Sequence, residues 1–204
     1  MRNSVVWTNA TSLYCLNIDI INKITDELLN ENKYGKVYLY SSIPKWDSLI
    51  SKTLLYTCIR ISNTSKVVYI NPLFNKKSIE KSISLISNNA NTSNITILDN
   101  INYLDEIDKY LENNQDIKYV MIEYMNFYRL CEYSFNDIAK TIKTIAINKN
   151  VVIFVYFVMH RNIENNKNER SILDLDKSNL DSSIFDKVYL IYENKDNNKY
   201  IKNL

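Results

Sequence analysis

Residues 151–158 read Val151-Val152-Ile153-Phe154-Val155-Tyr156-Phe157-Val158, an unbroken run of β-branched and aromatic side chains. A strand with one wet face alternates apolar and polar positions. A run that never alternates fits a strand covered on both faces, as in a parallel sheet. Parallel strands need crossovers, usually helical, so helices should flank this one. Upstream, Phe135, Ile138, Ile142 and Ile145 form the clearest helical stripe in the chain. Before that lies Ile117 to Glu123, an apolar strand ending in a carboxylate. Downstream, a polar stretch from Arg161 to Arg170 leads to a last strand, Val188 to Tyr192.

The same alternation extends to the amino terminus with a period of roughly thirty residues, and the units share no sequence. Lys36 to Ser41 is a first strand, and Gly35 turns the chain into it. Asp47 stands as a helix N-cap before Ile50, Leu54, Cys58 and Ile61. Val67 to Ile70 is a strand closed by Asn71-Pro72, and Ile79, Ile83 and Ile86 share one helix face. Asn94 to Leu98 and a helix through Leu104, Ile107 and Leu111 complete the series. The pattern predicts an α/β fold, doubly wound, with a mainly parallel sheet and helices on both faces. It predicts one domain over residues 1–204, with residues 1–30 as an N-terminal helical arm.

Composition narrows the function classes. With 204 residues and 46% apolar content, the chain can bury one sizeable core. A net charge of +2 gives no global pull toward nucleic acid or membrane. The longest apolar run, Val151 to Met159, is too short to span a bilayer, and no basic, apolar leader opens the chain. Cys15, Cys58 and Cys131 lack C-x-x-C spacing and read as reduced thiols of an intracellular protein, cytoplasmic or nuclear. His160 is the only histidine, so no metal site is expected.

Gly35 is also the only glycine. Nucleotide-binding α/β proteins hold phosphates on glycine-rich turns, where a missing Cβ lets backbone N–H groups crowd around the anion. Asn, Ile, Lys and Tyr abound here, types with AT-rich codons, and Asn can replace glycine at left-handed turns. The absence of glycine after the first strand predicts loss of phosphate-loop function and no nucleotide cofactor.

Ligands of open α/β sheets sit beyond the carboxyl ends of the strands. After the first strand, Ser51-Lys52-Thr53 is the nearest match to a G-K-[ST] ending, with Trp46 where the first glycine belongs. Glu123 ends the fourth strand, where a magnesium-organising Asp would stand, and reads as a solvated strand-end acid. Lys52, Thr53 and Glu123 are therefore marked as a degenerate nucleotide site, with no catalytic set expected. Lys76, Lys77 and Lys81, and Arg161 with Lys167 and Arg170, are the best basic groups. Each is diluted by Asn or Glu, and the sixteen tyrosines offer stacking surfaces in principle.

From Asp116 to Tyr200 the chain resembles the C-terminal half of the ATPase domain of DnaB-type replicative helicases, a RecA-like fold. Ile122-Glu123-Tyr124-Met125 is similar to that family's I-D-Y-L strand end. Residues 137–146 resemble its I-S-R-S-L-K-x-L-A helix, and Met159-His160-Arg161-Asn162-Ile163-Glu164 resembles L-N-R-S-V-E. Residues 173–179 resemble S-D-L-R-E-S-G, and Phe185 to Tyr192 resembles A-D-V-V-L-F-I-Y. A more distant likeness is to strand-exchange recombinase paralogues. By this resemblance the family's catalytic Glu falls near Asn71-Pro72-Leu73, its sensing Gln becomes Val158, and Asp174 is a partner for loop packing.

The resemblance implies work in DNA replication, recombination or repair. Combined with the missing glycines, it sets the expectation of a catalytically inactive RecA-like protein, not an enzyme. Such a protein would act through a partner: a helicase, a recombinase or a second RecA-like subunit. Leu16, Ile20, Ile24 and Leu28 give residues 13–30 an apolar stripe that either docks on that partner or covers the chain's own sheet. The alternatives are an accessory DNA-binding module using Arg161, Lys167 and Arg170, with weak binding, and an ATPase with a rebuilt phosphate loop. No membrane partner is expected.

Overall fold

The computed structural model describes residues 4–6, 18–31, 34–42, 47–87, 91–126, 128, 133–159, 172–193 and 199–203. The apolar run that opens the sequence argument is a central strand, β6 (Val152–Val158), with its first six residues buried. It lies between β2 (Lys36–Ser42) and β5 (Tyr119–Ile122), parallel to both. Outward on one side come β3 (Val67–Ile70) and β4 (Ile95–Leu98), also parallel. On the other side β7 (Lys187–Glu193) pairs with β2, completing six parallel strands.

Two further strands extend the β7 side in antiparallel sense, β8 (Lys199–Asn203) and then β1 (Ser4–Val6). The sheet order is thus β1-β8-β7-β2-β6-β5-β3-β4. The sequence pattern does not show this antiparallel pair. β1 has three residues, and Lys199-Tyr200-Ile201-Lys202-Asn203 is too polar and short to stand out.

Helices cover both faces because the inner strands β3, β5 and β6 are apolar on both. On one face α1 (Ile18–Asn30), α2 (Asp47–Ser62) and α3 (Lys76–Ile86) bury Ile21, Leu54, Ile61 and Ile79 against Tyr38, Tyr40, Tyr69 and Tyr156. On the other, α4 (Leu104–Glu112), α5 (Phe135–Lys149) and α6 (Ile172–Asp176) meet Leu39, Val68, Ile122 and Val155. The α5 stripe expected from sequence is the buried one, with Ile138 and Ile142 inside.

Turns are made almost without glycine. Gly35 has φ +76° and donates its N–H to the Val151 carbonyl at 2.9 Å. Asn150, at φ 53°, ends α5, and Asn179 and Tyr124 also take left-handed backbone at 58° and 59°.

At the amino ends of the strands, Asp186 ties three elements together. Its carboxylate accepts from Lys36 Nζ at 2.7 Å, from the Val37 N–H at 2.8 Å, and from Lys143 Nζ on α5. Burial opposes ionisation here, but the Lys143 and Lys36 ammonium groups and the Val37 N–H outweigh it and hold Asp186 below the usual carboxylate range. A depressed folded pKa stabilises above the unfolded carboxyl range near pH 4 and is lost as pH falls through the lower folded value. Asp186→Asn should therefore lower stability by about 1–2 kcal/mol at neutral pH, discounted because Lys36 is a third exposed. Urea midpoints of the two proteins should converge in acid.

Candidate functional site at the carboxyl ends of the strands

β3 ends at Ile70 and β5 at Ile122, paired with each other, so Asn71 and Glu123 leave the sheet side by side. The Glu123 N–H donates to the Ile70 carbonyl at 2.9 Å, adding one rung to the ladder. Its side chain then turns inward. Oε2 accepts from the Tyr69 hydroxyl at 2.5 Å and from Asn71 Nδ2 at 2.5 Å, and the residue is 3% exposed. Short, charge-assisted bonds of this kind make a buried carboxylate tolerable. Burial, and then the Glu123 charge, push the Tyr69 phenol well up, so it remains a donor at physiological pH. Glu123 is thus a buried, hydrogen-bonded acid, which corrects the expectation of a solvated one. The reason is the pair of donors supplied by the neighbouring strand and the first residue after it.

Asn71 works in both directions. Its Oδ1 accepts from the N–H groups of Leu73 at 2.8 Å and Phe74 at 2.9 Å, a side-chain turn that fixes residues 72–74. Leu73 and Phe74 are thereby held at the rim, 53% and 52% exposed. The Phe74 ring lies 6.4 Å from Tyr124, which lies 5.2 Å from Tyr156. The left-handed backbone of Tyr124 carries its hydroxyl to within 3.4 Å of Ser51 Oγ on α2. One lane over, the Asn126 amide imitates a strand: Oδ1 accepts from the Val158 N–H at 2.8 Å and Nδ2 donates to the Val158 carbonyl at 3.0 Å.

The structure brings Lys52, Thr53 and Glu123 to one end of the sheet, with Ser51 and Tyr124 as the link. Lys52 is exposed, whereas Thr53 and Glu123 are buried. Among the described residues no His, Cys, Asp and Glu group gathers as a metal requires. Trp46 and the rest of 43–46 lie outside the described residues, as do His160, Arg161, Lys167 and Arg170. Asp174 is buried near Lys177, whose Nζ stands 3.7 Å away.

Of the N-terminal stripe, Leu16 lies outside the described residues, as does the Ile20 side chain. Leu28 is buried in the core with Ile21, and Ile24 packs partly buried against it. Arg60 on α2 donates to Asp26 at 2.6 Å and Tyr56 to Asn22 at 3.3 Å, fastening α1 down. Of the two roles the sequence left open for the stripe, Ile24 and Leu28 take the inward one, covering the chain's own sheet on its α1–α3 face. Sequence reasoning missed Tyr69, Asn71 as a bridging residue, and Asn126. The Asn71-Pro72 turn was the one local signal.

No protein-family model matches the sequence, and comparison with curated proteins finds no match. Among solved structures, a DnaB-like replicative helicase, described with its interactions with primase, superposes at a TM-score of 0.65 with 17% identity. The match covers 79% of this chain and 48% of the helicase, so the chain spans about half its length. A second structure, described as an ATPase domain, matches at 0.65 and 15% identity over 91% of this chain and 84% of that domain. A KaiC-like protein, PH0186 from Pyrococcus horikoshii OT3, matches at 0.56 and 10% identity, over 78% and 71%. The chain has the RecA-like fold that these structures share.

These matches correct the expectation that the chain is not an enzyme. The similar structures include a helicase and an ATPase domain, and nothing in the described residues demonstrates inactivity. A phosphate cradle needs backbone N–H groups, which any residue but proline supplies, and this chain takes left-handed turns on Tyr124, Asn150 and Asn179.

Glu123→Ala would leave the Tyr69 hydroxyl and Asn71 amide buried without their acceptor. It should cost about 2–4 kcal/mol in urea denaturation, with Tyr69→Phe costing less. Leu28→Ala should cost about 2–4 kcal/mol by the same measurement, as a core residue does and a docking residue does not.

Proposed function

We propose that this chain works in DNA replication or recombination as a RecA-like subunit that seats against a protein partner: a helicase, a recombinase or a second RecA-like subunit. What supports the reading is the extent of the structural match, which takes in 91% of the chain and 84% of the similar ATPase domain. The helicase it also resembles is described with its interactions with primase, a precedent for partnership in a protein that contains this fold. Domains of this kind assemble side by side, so that a subunit surface is an intrinsic part of the architecture. With α1 spent on the core, that surface belongs to the sheet edges or the loops of the carboxyl rim.

The test is reconstitution. The tagged full chain is recovered from its host at physiological salt, co-purifying proteins are identified, and each candidate pair is re-made from purified components. Size-exclusion chromatography with light scattering should show a stoichiometric complex with a helicase, a recombinase or a second copy. A chain that elutes as a monomer, unaccompanied in every such mixture, overturns the proposal.

A further inference from the structure

Two strands end the sheet, and they end it differently. β1 is three residues long, and brevity is one of the ordinary ways an edge is blunted. β4 reads Ile95-Thr96-Ile97-Leu98, without charge, proline or glycine, and among the described residues it pairs with β3 alone. Ile97 belongs to the core under α3 and Leu98 packs partly buried on the other face, while Thr96 beside it is exposed. An uncharged edge of β-branched residues is a template for another strand.

The backbone of β4 dictates what that strand must offer. The Leu98 carbonyl accepts from the Asn71 N–H at 3.1 Å, so Leu98 is turned toward β3, and by alternation so is Thr96. Ile95, Ile97 and Asp99 are turned to the open side. The Ile95 N–H is already given to the Thr92 carbonyl, in the turn that opens the strand. What faces outward, in chain order, is the Ile95 carbonyl, the Ile97 N–H, the Ile97 carbonyl and the Asp99 N–H. That row runs acceptor, donor, acceptor, donor. Read backwards it is donor, acceptor, donor, acceptor, which is its own complement.

We propose that β4 pairs with β4 of a second copy of this chain, antiparallel about a two-fold axis through Ile97. The two Ile97 residues exchange both bonds, and each Ile95 carbonyl takes the Asp99 N–H of the other copy. Thr96 then lies beside Leu98 of the other copy, covering a side chain that is only partly buried. Charge selects this direction. A parallel copy would carry both Asp99 carboxylates to the same end, whereas the antiparallel one sets each against neutral Ile95. Asp99 is meanwhile held on its own α3, where it accepts from the Lys76 N–H at 2.6 Å. An isologous contact closes at two copies, and a patch this short makes a weak, reversible dimer. The pairing names the second RecA-like subunit of the proposed function as a copy of the chain, and it rests on that reading.

The test is sedimentation of the full chain over a concentration series, with amide exchange read by NMR at both ends of it. The wild type should pass reversibly from monomer to dimer. Exchange at the Ile97 and Asp99 amides should slow by roughly tenfold or more in the dimer. Ile95, Thr96 and Leu98 should not change, because their N–H groups are bonded within the monomer. Thr96→Lys and Thr96→Glu should each raise the dissociation constant at least about tenfold, and an equimolar mixture should dimerise again, since the two positions are diagonal neighbours across the axis. Thr96 is exposed, and unchanged thermal melting verifies the fold of each variant. A chain that stays monomeric, assembles beyond two copies, or dimerises unaltered with either charge at 96 overturns the inference. So does a dimer that leaves the Ile97 amide as open as in the monomer. A chain that is monomeric alone but forms a stoichiometric complex with a helicase or a recombinase overturns this pairing and leaves the proposed function standing. Absence of every complex removes both.

Discussion

A carboxylate buried to 3% exposure must be met by donors, and at Glu123 both come from the neighbouring strand and its first following residue. That requirement fixes more than one side chain. Tyr69 reaches Glu123 only if β3 and β5 keep their register, because a one-residue slip would send the phenol to the other face of the sheet. Asn71 reaches it only if the chain leaves β3 at once. Having given its N–H to the acid, the same amide uses its oxygen to shape the next turn. The acid, the strand pairing and the exposed Phe74 are therefore one mechanical unit.

Strand alternation divides the sheet into two unlike faces. Tyr38, Tyr40, Tyr69, Tyr156 and Tyr189 are buried toward the α1–α3 face, while Leu39, Val68, Val155 and Leu190 fill the other. Neighbouring rings meet there at ordinary aromatic distances, Tyr40 with Tyr189 at 5.1 Å and Tyr38 with Phe154 at 5.4 Å. Two of these tyrosines carry their hydroxyls to an acid at the margin of the layer. Tyr69 ends at Glu123, and Tyr38 ends at Glu31 beyond α1. Many of the tyrosines that composition alone offers as stacking surfaces are thus core.

The core elements were legible because each carries a local period: two-sided runs in β6 and β3, and a 3.6-residue stripe in α2, α3 and α5. β1 and β8 were not, since each depends on the other and on β7 for its pairing, and neither is apolar enough to announce itself. At the site, the place of Glu123 at a strand end was readable from the strand. Its burial was not. Tyr69 and Asn71 are 54 and 52 residues away in sequence, and only the parallel register brings them together. A glycine count says less about the rim turns, since it measures how cheaply a turn is made, not whether it is made.

The left-handed backbone at Tyr124, Asn150 and Asn179 has a consequence for the unfolded chain. Such a conformation costs a residue with a Cβ about 1–2 kcal/mol, less for Asn, whose amide can bond locally. The same Cβ narrows the conformations open to that residue before folding, an advantage of about 0.4–1 kcal/mol over glycine. The two effects nearly cancel at each asparagine turn. A chain with Gly35 as its one glycine thus carries part of its stability outside the native contacts, in a denatured ensemble that is already restricted.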